Sequence, residues 1–74
     1  MDKLLLLEQL ARVRADAEAA HLQTVIQAKI VAELEKQGRD ASTARVQLNT
    51  WKMTEQKLII LMNMILDRLD ETSR

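Results

Sequence analysis

The feature that most constrains this chain is what it lacks. Proline is absent, and Gly38 is the only glycine in 74 residues. On either side of Gly38 more than thirty residues run without a helix breaker. A glycine at the C′ position ends one helix, and an aspartate soon after it caps the next. Gln37-Gly38-Arg39-Asp40 therefore reads as a stop and a restart. The pattern predicts one domain: a first helix over residues 3–37, a turn at 38–40, and a second helix over residues 41–72. Gly38 and Asp40 are the turn and cap residues, with Ser42 the alternative cap. The fold class is all-α, an antiparallel two-helix hairpin of coiled-coil type.

Both halves carry the apolar spacing that such a hairpin needs. In the first, Leu6, Leu10, Val13, Ala17, Ala20, Thr24, Gln27, Val31 and Leu34 alternate steps of four and three, the a/d seam of a heptad repeat. In the second the seam is Ala44, Leu48, Trp51, Glu55, Leu58, Met62, Ile65 and Leu69. Folding about Gly38 pairs positions whose numbers add to about 79, as antiparallel seams do. Val31 is then expected to meet Leu48, Gln27 to meet Trp51, and Thr24 to meet Glu55. The small Ala17 and Ala20 fall opposite the large Met62 and Leu58, so volumes complement. Thr24 and Glu55 form a polar layer that fixes register at some cost in stability.

A second set of apolar residues lies off these seams. The first helix carries Leu7, Ala11, Ala15, Leu22, Val25, Ile26 and Ile30, and the second Val46, Met53, Ile59, Ile60, Leu61, Met64 and Leu66. Between 58 and 66 only Asn63 is polar, and a helix apolar nearly all round is buried on most sides. One partner helix covers one stripe. The expected interface is therefore Leu22, Ile26, Ile30, Met53, Ile59, Ile60, Leu61, Met64 and Leu66. Its expected occupant is a second hairpin, giving a four-helix bundle, or a groove on a larger protein. Three of the four methionines lie in the second helix, which suits an adaptable contact surface, although core filling is the commoner role of methionine.

Composition narrows the classes of function. A chain this short is marginal alone and is commonly reinforced by disulfides, metals or association. With no cysteine and a single histidine, disulfides and cysteine- or histidine-rich metal sites are excluded, which leaves association. Eleven basic and eleven acidic residues cancel and are interspersed, whereas a nucleic-acid binder shows a basic excess or stripe. Arg12, Arg14, Lys29, Lys36, Arg39 and Arg45 do not share one face, so a nucleic-acid-binding regulator is the weaker alternative. The apolar stretch 58–66 is nine residues including Asn63, against the roughly twenty of a bilayer span. Leu4–Leu7, flanked by acids, is too short for a secretory leader. The expectation is a cytoplasmic protein without membrane or nucleic-acid partners.

Three residues invite a sharper chemical reading. His21 has Glu18 three positions before it, but one imidazole and one carboxylate make at most half a zinc shell. Glu55 is a seam carboxylate with no evident acid–base partner, and a carboxylate alone is no catalytic constellation. Trp51 reads as a seam residue whose indole N–H seeks a polar neighbour such as Gln27; the alternative is a binding hot spot. No nucleophile–base pair, phosphate loop or cofactor motif is present, so the expectation is no enzyme, no cofactor and no metal. On the exposed faces, Glu8 with Arg12 and Arg14 with Glu18 are spaced for helix-stabilising pairs.

The elements Val31-x-x-Leu34-Glu35-x-x-Gly38-x-Asp40 and Ala44-Arg45-x-x-Leu48-x-Thr50-Trp51 resemble those of small, uncharacterised helical-hairpin proteins of soil-dwelling alphaproteobacteria such as rhizobia. The resemblance covers about a third of the chain by sequence position. It implies a hairpin and carries no activity. The strongly apolar stretch from Leu58 to Leu66 departs from the charge-rich ends of that group and points to a bound state rather than a free monomer.

Overall fold

The structure, a computed structural model, describes residues 2–73; Met1 and Arg74 lie outside it. Two helices account for nearly all of it: α1, Lys3–Lys36, and α2, Ser42–Thr72. They fold back on each other along their whole length into a rod of 56 × 14 × 14 Å. Thirty-four residues at about 1.5 Å each set that length.

Each end of α1 is closed by the residue type that suits it. The Asp2 carboxylate accepts the Leu4 N–H at 3.0 Å, satisfying a donor that the first turn leaves unpaired. At the other end the Arg39 N–H donates to the Leu34 carbonyl at 2.9 Å and the Gly38 N–H to the Glu35 carbonyl at 3.0 Å. These are the paired bonds of a Schellman motif, which requires a left-handed residue at C′. Gly38 supplies it, with φ of 68°.

Both helices are one residue shorter at the turn than the spacing predicts, because Gln37 is the C-cap of α1 and Ala41 occupies the N-cap position of α2. Ala41 makes no side-chain cap. Asp40 acts one residue earlier than a helix cap would. Its carboxylate accepts both the Ser42 N–H and the Ser42 hydroxyl, an Asx-type turn that leads the chain into the helix. Ala41 is nearly fully buried and joins the core instead.

The seams are those of the heptad pattern. Leu6, Leu10, Val13 and Ile65 form a buried cluster at the open end, flanked by Leu58, Met62 and Leu69. Val31, Ala41 and Ala44 form a second cluster at the turn, flanked by Leu34 and Leu48. Ala17 and Ala20 are buried between them. Thr24, Gln27, Trp51, Thr54 and Glu55 are only half-buried, so mid-length is the polar, loosely covered part of the seam.

The polar layer differs from the expectation in its partners. Glu55 meets His21, with His21 Nδ1 at 3.3 Å from each carboxylate oxygen, rather than Thr24. The Thr24 hydroxyl donates to the Ala20 carbonyl of its own helix at 2.9 Å. Gln27 does not serve the Trp51 indole; its amide nitrogen donates to the Ala44 carbonyl at 3.2 Å and to Gln47 Oε1 at 3.1 Å. The apolar layers keep the expected register, with Val13 and Ile65, Leu10 and Leu69, and Val31 and Leu48 in common clusters; only the polar side chains reach partners outside their own layer.

Candidate interaction surface

Among the described residues nine are buried, all apolar, and no polar side chain joins them. The rest of the apolar content faces outward. Every residue of the expected interface is exposed: Leu22, Ile26 and Ile30 on α1, and Met53, Ile59, Ile60, Leu61, Met64 and Leu66 on α2. Leu22, Met53 and Ile60 are more than half exposed, at 57%, 56% and 59%. The reason is periodic. A two-helix hairpin hides only the a and d positions, and these residues occupy the other five.

They do not form one patch. Ile59 and Leu66 line a shallow groove of about 440 Å³ together with Arg14, Ala17, Glu18, His21, Glu55 and Met62. Leu61 and Met64 line another of about 380 Å³ with Gln9, Arg12, Val13, Ile65 and Arg68. By heptad position these two grooves run along opposite flanks of the hairpin. Leu22 and Ile26 on α1, and Met53 and Ile60 on α2, point away from the seam altogether.

Leu4 and Leu5 are exposed as well, and the heptad reading missed them. Leu4–Leu7 spans one full turn, so one leucine at most can face the partner. Leu6 does, and is fully buried; the other three must point elsewhere. The run of four was the available signal.

Charge on this surface is unpaired for the most part. Among the described residues two ion pairs close: Arg45 Nη2 with Glu35 Oε2 at 2.7 Å, and His21 with Glu55. Glu8 with Arg12, and Arg14 with Glu18, have the spacing of helix pairs but do not come within ion-pair distance. Asp40 is held below the ordinary carboxylate value of 3.8, first by the Ser42 hydroxyl, then by the Ser42 N–H and, more weakly, by the Arg45 charge, against a small opposing effect of burial.

The His21–Glu55 pair is the one place where two chemically active groups meet. A carboxylate that orients an imidazole is part of many hydrolytic sites, and such sites add a nucleophile within hydrogen-bond reach. The other residues lining that groove are Arg14, Ala17, Glu18, Ile59, Met62 and Leu66, none of which is an activated serine, threonine or cysteine. Among the described residues no group of three His, Cys, Asp or Glu side chains is placed to hold a metal ion. No described helix is long and apolar enough to cross a membrane.

Comparison with known proteins gives no match to a family model, to a curated protein or to a solved structure.

Proposed function

We propose that this chain is a non-enzymatic helical assembly module that self-associates through the apolar rows its own hairpin leaves uncovered. The observation that carries this reading is the size of the exposed surface. The chain exposes 5622 Å², whereas a compact monomer of 8.5 kDa exposes about 4,650 Å². The excess, about 970 Å², goes with the rod shape of 56 × 14 × 14 Å and leaves ample area for the roughly 800 Å² that each partner buries in an interface of ordinary size. Among the described residues fourteen large apolar side chains are exposed, and such side chains are rarely left open in such number on a lone domain. Zero net charge means that copies of the chain do not repel one another as they approach.

Thermal unfolding followed against concentration tests the reading, because association of the folded form alone makes the midpoint concentration-dependent. The midpoint is expected to climb steadily over about a hundredfold rise in concentration. A midpoint that stays fixed over that range refutes self-association.

A further inference from the structure

The outer face of α1 carries a pattern that the hairpin does not use. Taken in steps of three and four, its residues are Glu8, Ala11, Ala15, Glu18, Leu22, Val25, Lys29, Ala32 and Lys36. All nine are exposed. Acids occupy the first half of this row, bases the second, and the two large apolar residues sit at its centre. The alanines between them allow a second backbone to come close. None of the four charged side chains pairs with another residue of its own chain at ion-pair distance; the only pairs closed among the described residues lie elsewhere.

A row of this kind complements itself when it is reversed. Turned end over end about a point between Leu22 and Val25, it places Leu22 against the partner's Val25, Glu18 against the partner's Lys29, and Ala15 against the partner's Ala32. Glu8 then falls toward the partner's turn, where Arg39 lies, and Lys36 against the partner's Ala11. In the same-direction arrangement each acid would face its own copy and each base likewise, and like charges held together oppose association. The outer row of α2 has no such order: in Val46, Thr50, Met53, Lys57, Ile60, Met64, Asp67 and Glu71 reversal about the centre sets Lys57 against Ile60, Asp67 against Thr50 and Glu71 against Val46, so no acid meets a base.

We infer that two copies of this chain pair through α1, antiparallel, about a two-fold axis between Leu22 and Val25. This rests on the self-association proposed above and specifies its geometry. The contact is isologous, so each apolar and charged pairing occurs twice. Four helices then lie in the order α2, α1, partner α1, partner α2, with the oppositely charged halves of the two rows fixing the direction.

Because the chain contains no cysteine, single introduced cysteines report the arrangement cleanly. Ala15→Cys and Ala32→Cys are made separately in the full chain, at exposed positions, with helix content checked by circular dichroism. Oxidation of the mixture is expected to yield the 15–32 disulfide, while each variant oxidised alone gives little. Homodisulfides from each variant alone would overturn the antiparallel geometry. A light-scattering mass of a dimer or larger with no disulfide in any mixture would overturn the α1 contact while leaving self-association intact. A monomer mass would overturn both, and would assign the face to a different protein. Charge reversal is an independent check: Glu18→Lys or Lys29→Glu is each expected to weaken the dimer about tenfold, since two pairings turn repulsive. The double exchange, which restores opposite charges across the axis, is expected to recover most of that loss; failure to recover contradicts the pairing.

Discussion

His21 and Glu55 join the two helices at mid-length, with Nδ1 3.3 Å from the nearer carboxylate oxygens. The imidazole side chain is 66% exposed and the carboxylate 22%. A pair this open to water contributes little net stability, and Glu55 sits where the seam would otherwise hold an aliphatic side chain. Glu55→Leu is therefore expected to stabilise the hairpin by about 1 kcal/mol, from added apolar burial next to Leu58 and Met62. Urea denaturation measures it. A loss of stability would mean that the His21 contact outweighs the burial.

The seam, the turn and the pairing of the apolar layers were legible in the residues; the partners of the polar groups were not. Gly38 marks the turn because it is the one glycine in the chain and glycine takes a positive φ at least cost, and the four-three spacing marks the seam because only a and d positions face a single partner. The register depends on how many residues the turn consumes. The turn consumes as many as the seams require, and Val13 with Ile65, Leu10 with Leu69 and Val31 with Leu48 fall in common clusters. The polar groups were not legible because long side chains reach beyond their own layer: Glu55 meets His21, while the Thr24 hydroxyl bonds to its own helix. The outward face was legible for the same reason as the seam: whatever the heptad did not place inside had to lie outside.

Gly38→Ala tests the turn. A methyl group there meets nothing within 4 Å, so its cost is conformational and not steric. Alanine at a φ of 68° is expected to lose about 1 kcal/mol of stability. Gly38→Asn should lose less, since asparagine tolerates the left-handed region better. Equal stability of all three chains would argue that the turn does not need that conformation.

Asp40 makes stability depend on acid. Its folded-state pKa lies below the ordinary 3.8 because the ionised form accepts two hydrogen bonds from Ser42. The ionised group therefore favours the folded chain above that value, and the advantage is lost as pH falls through the lower, folded-state pKa. Asp40→Asn, compared with the parent chain by thermal unfolding from pH about 5 downwards, should show a shallower loss of stability. Identical acid profiles would remove Asp40 from the account.

Among the described residues Leu6 is the one large side chain that is completely buried, and it anchors the open end, where no turn holds the helices together. Leu6→Ala is expected to cost about 3 kcal/mol and to increase amide exchange in the first turns of α1 and the last turns of α2. A cost below about 1 kcal/mol, well under the usual range for a buried leucine, would mean that this end opens freely.

Leu22→Asp and Ile60→Asp place a charge on each outward face without touching the seam. Leu22→Asp is expected to weaken association by at least about tenfold, since burying an unpaired charge is costly, whereas Ile60→Asp, on the outer face of α2 that the α1-to-α1 pairing leaves in water, should change it little. Helix content should change little. Association unaffected by both variants would mean that neither outward face is an interface.

The central claim is that one hairpin leaves more apolar surface open than it keeps when folded alone. Sedimentation equilibrium of the full chain at micromolar to millimolar concentration tests it most directly. The account predicts a mass of two chains or more, falling toward one on dilution with the helices retained. A well-folded species of 8.5 kDa at every concentration, with Leu22 and Ile60 open to water, would contradict it.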